Sequence, residues 1–187
     1  THVKNENGMP ACHLFHPSDA VSAYKLLELM ANIQGLCYMR THRPDAPFLY
    51  SFAESFPLTG SKRLRQGRKL TLVSSGYMVH ETLRAADELA KKGIDAAVFD
   101  AYLLPLDASE ILEDARSSGQ ILVVEDNYCG GVHAEVAEAA ARVGGVRVHG
   151  LTADRFPKSA RTPDEVFDYV GVGCKNIVRK GLELANQ

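Results

Sequence analysis

Between Leu70 and Asp107 the sequence runs LTLVSSGYMVHETLRAADELAKKGIDAAVFDAYLLPLD, and few folds accommodate that order of segments. A strand-length apolar run, LTLVS, meets Ser75-Gly76. A segment follows in which Val79, Leu83, Ala86 and Ala90 recur at roughly helical spacing and form the expected inner stripe. Gly93 then stands in the C′ position that ends a helix, and a second apolar run stops at Leu-Pro-Leu-Asp. Two buried strands joined by one amphipathic helix make a βαβ unit, so the strands are parallel and the crossover right-handed.

The same alternation continues. Strands are predicted at Leu70–Ser74, Ala96–Tyr102, Ile121–Glu125 and Val146–Leu151. Asp107 with Glu110 reads as a capping box, Gly130-Gly131 precedes a helix from about Val132 to Val143, and Thr162, Pro163 and Glu165 open another. A last helix is expected from about Cys174 to Leu184. This order predicts an α/β fold with a doubly wound, mostly parallel sheet over residues 70–187. Upstream, HLFH, a helix from about Ala20 to Ile33, Gly35 and the strand LCYM read as β-α-β. That unit is too small to bury a core alone, so residues 1–60 are expected to be the remnant of a second α/β domain. The chain opens on Thr1 rather than Met, and we expect further residues upstream.

Residues 61–69 are expected to be a linker within PLTGSKRLRQGRK, whose five basic residues invite a nucleic-acid reading. No aromatic residues interleave them, and the whole chain carries a net charge of −2, so we expect neither nucleic-acid nor membrane binding. Apolar runs are strand-sized, too short to span a bilayer. Cys12, Cys37, Cys129 and Cys174 are widely separated with no C-x-x-C pair, which suggests unpaired thiols and a reducing, cytoplasmic setting.

Chemistry is sparse. Arg40, His42 and Arg43 lie in RTHRP just past the LCYM strand, at the edge where open α/β sheets bind ligands. A guanidinium fork matches phosphate oxygens, but a surface arginine paired with a carboxylate such as Asp45 satisfies the same residues. Glu125-Asp126 suggests a metal or acid–base pair, yet neighbours on a strand point to opposite faces and should not converge. The glycines after them could let a helix terminus approach an anion or another chain, or could simply make a packed turn. Ser74-Ser75-Gly76 resembles a nucleophile turn without an assignable acid–base partner. The histidines at 2, 13, 16, 42, 80, 133 and 149 show no metal spacing. His80, near a helix start, is expected to be partly exposed. No catalytic or metal-binding residue is therefore assigned.

Taken together, RTHRP, LVSSGYMVHETLRAADELAKKGIDAAVFDAYLLPLD, VVEDNYCGGVHAEVAEA and DRFPKSARTPDEVFDYVGV resemble transketolase, in one order along nearly the whole chain. The middle motif is also similar to 1-deoxyxylulose-5-phosphate synthase and to 2-oxo-acid dehydrogenase beta subunits. PSDAVSAYKLLELMANIQGLCYMRTHRP, EDNYCGGVHAE and RFPKSARTPDE favour transketolase. The resemblance implies the end of the pyrimidine-binding domain followed by the carboxyl-terminal domain. It implies a homodimeric enzyme of the pentose phosphate pathway that moves a two-carbon ketol unit between sugar phosphates, using thiamine diphosphate and Mg2+ or Ca2+. By the same resemblance Arg43 contacts the sugar phosphate, whereas Arg40 and His42 are not ligands.

Departures from the family matter as much. No G-D-G segment, activating glutamate, aromatic ring pocket or G-E-D-G-P-T-H-like segment is present. The expectation is that upstream transketolase regions or a partner subunit complete the protein, and that the isolated chain is inactive. A non-catalytic dimerisation or regulatory module is the contrasting reading.

Overall fold

The computed structural model describes residues 3–186. Thr1, His2 and Gln187 lie outside the described residues, and with them the expectations for His2 and the chain start. The elements are β1 (Cys12–Phe15), α1 (Ala20–Ala31), β2 (Leu36–Met39), β3 (Lys62–Arg65), β4 (Leu70–Ser74), α2 (Met78–Lys91) and β5 (Ala96–Asp100). They continue with β6 (Leu103–Leu104), α3 (Ser109–Ala115), β7 (Gln120–Val124), α4 (Val132–Val143), β8 (Arg147–Leu151), α5 (Pro163–Val170) and α6 (Cys174–Ala185).

The larger sheet has the order β3-β5-β4-β7-β8, parallel throughout except for β3. Strand alternation sorts its side chains onto two faces. Leu70, Leu72, Ala96, Val98, Leu122 and Val124 pack under α2, α5 and α6. Val73, Ala97, Phe99, Ile121 and Val123 face the other way, under Ile111 and Ala115 of α3 and Val136 and Ala140 of α4. Helices on both faces are what all-parallel strands require, since every residue of β4, β5 and β7 is buried. The doubly wound α/β expectation is met.

The smaller sheet has the order β2-β1-β6, with β1 and β2 parallel and β6 antiparallel. Strand β6 follows β5 directly, so the chain that builds the larger sheet also lends a strand to the smaller one. A third core of Phe15, Val21, Leu26, Tyr50, Phe56, Tyr102 and Leu103 fills the space between.

Some expectations fail for identifiable reasons. Residues 61–69 are not a solvated linker throughout, because Lys62–Arg65 pairs antiparallel with β5. A basic strand suits a sheet edge, where one side needs no partner and charges discourage another chain. Arg63 reaches Asp114 at 2.9 Å and Arg65 reaches Asp87 at 2.7 Å. Asp107 does not form a capping box with Glu110. Its carboxylate accepts from Ser109 N and Oγ, and α3 starts without a side-chain cap. The inner stripe of α2 keeps Val79 and Ala86, but Met78, Thr82, Ala85 and Leu89 complete it, Leu83 is only partly buried and Ala90 is exposed. Gly93, at φ 79°, terminates its helix as expected, whereas the capping box expected of Thr162 and Glu165 is half formed: Thr162 Oγ1 accepts from Glu165 N, but the Glu165 carboxylate accepts from Arg161 N.

Candidate anion-binding site

The carboxyl ends of β1, β2, β4 and β7 meet where the two sheets adjoin. Arg40 directly follows β2, and its N–H donates to Phe15 O at 2.8 Å. Its guanidinium forms a fork with Asp126, Nη1 to Oδ1 at 2.6 Å and Nη2 to Oδ2 at 3.0 Å. The carboxylate partner that sequence reasoning sought nearby, at Asp45, is thus Asp126, 86 positions further along the chain.

Arg43 is exposed and makes no hydrogen bond or ion pair with the described residues. It lines two adjoining clefts. The larger, about 910 Å³, also has His16, His42, Tyr77, Asp126 and Arg161 on its walls. The smaller, about 480 Å³, is bounded by Pro17, Asp19 and Phe48. An unpaired guanidinium on such a wall can offer its whole fork to an anion.

The loop carrying Arg43 is tied down at its far end by Asp19. This residue caps α1, with Oδ1 accepting from Ser22 N at 2.7 Å. Its Oδ2 accepts from Leu49 N at 2.7 Å and Tyr50 N at 3.0 Å. Burial pushes this carboxyl up, but the hydrogen bonds from Ser22, Tyr50 and Leu49 outweigh it and hold the group below the usual range. Within the loop, His42 Nδ1 lies 2.9 Å from Pro44 O, and its ring meets Tyr77 edge-on at 5.3 Å.

Glu125 and Asp126 diverge, as strand geometry requires. Glu125 turns inward and accepts Val132 N at 2.9 Å and His133 N at 2.8 Å, so the anion at the start of α4 is the protein's own carboxylate. A Cβ on Gly131 would stand 2.2 Å from Glu125 Oε2, which explains one of the paired glycines. Among the described residues no group of three or more His, Cys, Asp or Glu could hold a metal ion. Glu125→Ala is expected to leave both amides of α4 without their acceptor and cost about 2 kcal/mol, read as a fall of about 6 °C in Tm. An unchanged Tm would refute the cap.

Ser75 acquires a partner that sequence could not supply, His16, whose Nδ1 lies 2.9 Å from Ser75 Oγ. Gly76 makes this possible, because a Cβ there would sit 2.1 Å from His16 Nε2. Burial first, then the charge of Arg40, lowers His16 to about 4 against a smaller opposing pull from Asp126. Its ring is neutral at pH 7. Among the described residues no carboxylate hydrogen-bonds that ring, and Ser75 is buried, so the pair lacks the orienting group of a nucleophilic triad.

Behind the loop lies Asp100, wholly buried. Its Oδ2 accepts from Ser18 Oγ at 2.7 Å and Tyr50 O–H at 2.8 Å, while Oδ1 has no partner. Desolvation pushes it up to about 7, against the two hydrogen bonds and Lys62. His80 is partly exposed, with Nε2 2.7 Å from Ser18 O. All four cysteines are free thiols, and no described helix is long and apolar enough to cross a membrane.

Sequence reasoning named Arg40, His42, Arg43, Glu125, Asp126 and Ser75, and the structure gathers Arg40, His42, Arg43 and Asp126 around the cleft, while Ser75 is buried behind His16 and Glu125 faces α4. It missed Asp19, His16 and Asp100. A local signal existed for Asp19 alone, in the Pro-Ser-Asp that starts α1.

The model of the family "Transketolase, C-terminal domain" matches residues 60–177. A bovine transketolase-like protein 1 is 39% identical over 175 residues, covering 91% of this chain and 29% of its own length. Mouse transketolase is 36% identical over 181 residues, covering 93% of this chain and 29% of its own. The chain thus spans less than a third of the length of these curated relatives. A solved structure described as a split gene transketolase, inactive beta4 tetramer, superposes with a TM-score of 0.87 at 27% identity, over 95% of this chain and 59% of that one.

Proposed function

The chain belongs to the transketolase family through its carboxyl-terminal domain, and from that premise we propose that it is the carboxyl-terminal portion of an enzyme transferring a two-carbon ketol unit between sugar phosphates. In this reading Arg43 holds the phosphate of the sugar. The observation that carries it is a guanidinium without a protein partner, on a loop fixed at both ends, beside an open cleft. Charge-assisted bonds to phosphate are strong and directional, so such a group sets affinity for phosphorylated sugars.

The residues present do not fit thiamine diphosphate or its Mg2+ or Ca2+. The G-D-G segment is lacking, and the described residues offer no metal-holding group. The cofactor, the acid–base residues and the second wall of the site belong to upstream transketolase regions or a partner subunit, in a cytoplasmic homodimer of pentose phosphate metabolism. The split-gene tetramer supports this division of labour, since that assembly of a related chain is described as inactive. It equally supports assembly as what the isolated chain does.

In the completed enzyme, Arg43→Ala is expected to raise the KM for an aldose phosphate about thirtyfold with kcat nearly unchanged, the loss of one charge-assisted contact. An unchanged KM would remove the assignment. Ketol transfer by the purified 187-residue chain alone would overturn the claim that its chemistry lies elsewhere.

A further inference from the structure

We infer that Asp126, in the carboxyl-terminal domain, is a positioning residue for substrate phosphate, acting through Arg40 on the loop that presents Arg43. The inference rests on the reading of Arg43 as the phosphate contact.

The loop leaves β2 at Met39, and Arg40 N is the last amide tied to the small sheet, through Phe15 O at 2.8 Å. Arg43 stands three residues later. Its far end is closed by Asp19 on Leu49 N and Tyr50 N. Between those ends, the contacts that fix the chain are the His42–Pro44 bond and the edge-on meeting of His42 with Tyr77. Direction at the near end is therefore set by Arg40, whose side chain would otherwise swing freely.

Asp126 removes that freedom in two ways. Two parallel N–H···O bonds at 2.6 and 3.0 Å fix both the place and the plane of the guanidinium, which one contact could not do. The carboxylate also neutralises a cation three residues from Arg43. Without it, Arg40 could turn into the cleft and take the anion in a different pose. Side-chain exposures of 38% for Arg40 and 19% for Asp126 put the pair at the cleft wall rather than in bulk water. The fork also explains why a domain with no convergent acid–base groups bears on substrate at all. It reaches across the seam and aims the residue that does.

The decisive experiment is a double-mutant cycle in the completed enzyme, measuring kcat and KM for ribose 5-phosphate against ribose. Asp126→Asn is expected to lower the preference for the phosphorylated sugar about tenfold, chiefly through the KM for ribose 5-phosphate. In an Arg43→Ala background the same change should cost almost nothing, because the group being aimed is gone. Arg40→Gln cuts the fork from its other side and must reproduce the loss, which keeps the test open if Asp126→Asn folds poorly. A full tenfold cost of Asp126→Asn without Arg43 would overturn the positioning role while leaving the Arg43 contact intact. If Arg43→Ala alone leaves the preference untouched, the phosphate reading fails, and this inference with it.

Discussion

Gly67→Ala is expected to cost about 3 kcal/mol and lower Tm by about 10 °C, by prising β3 from the larger sheet. Gly67 sits just past β3, against the start of β5. A Cβ there would lie 2.2 Å from both Ala96 C and Ala97 N, and 2.8 Å from Ala96 Cα. These are backbone atoms of a wholly buried strand, pinned by parallel pairing of Leu70 with Ala96 and Thr71 with Ala97. They cannot swing aside as the end of a side chain could. Something must give, and β3 is the weaker element. It is an edge strand with a register shift between Arg63 and Arg65, held partly by exposed ion pairs of small worth. Hydrogen exchange should show faster exchange in β3 and β5, with β7 and β8 unaffected. A variant melting within about 2 °C of the parent would show that the close approach is not tight.

Asp100→Asn is expected to raise stability modestly at pH 5 and by more at pH 8. The wild-type carboxyl is pushed from its ordinary range to about 7, first by desolvation and then by the charge of Asp19, against Ser18, Tyr50 and Lys62. Only neutral hydroxyls touch it, and the Lys62 ammonium is engaged with Glu54. A raised carboxyl favours folding while protonated, so its contribution is lost as pH rises from about 4 through about 7, on the order of 4 kcal/mol in all. His16, lowered to about 4, works oppositely, because its contribution is lost as pH falls through the ordinary histidine range. The parent's own pH profile therefore mixes two opposed trends, whereas the difference between parent and variant isolates Asp100. The asparagine amide keeps an acceptor for Ser18 and Tyr50 without the charge. Denaturant melts at the two pH values measure the difference. A variant less stable than the parent at pH 8 would mean that the buried carboxylate is ionised and held favourably.

What could be read from the residues is what periodicity and caps encode. β4, α2, β5 and β7 are continuous apolar runs or amphipathic stripes between glycine stops, and their local signal agrees with their burial. Strand β3 was hidden because KRLR owes its conformation to β5 rather than to any apolar pattern of its own. Strand β6 was hidden because two leucines after a strand look like that strand's end, and only the distant β1 makes them another. At the site, the placing of Arg40 and Arg43 just past a strand was legible from the end of LCYM, but each only as a cation. The partner of Arg40 lies 86 positions away, a distance no local rule spans. The opposite facing of Glu125 and Asp126 was legible because strand alternation is local. What each one faced was not.

Strand β6 crosses from one unit to finish the other's sheet, so the seam along the polypeptide is not the seam in space. A protease nick between residues 57 and 69 would leave the halves clasped instead of free. A gene broken at that point would leave β1 with β2 alone, and the hydrogen-bonding edge stripped of β6 would recruit whatever strand came next.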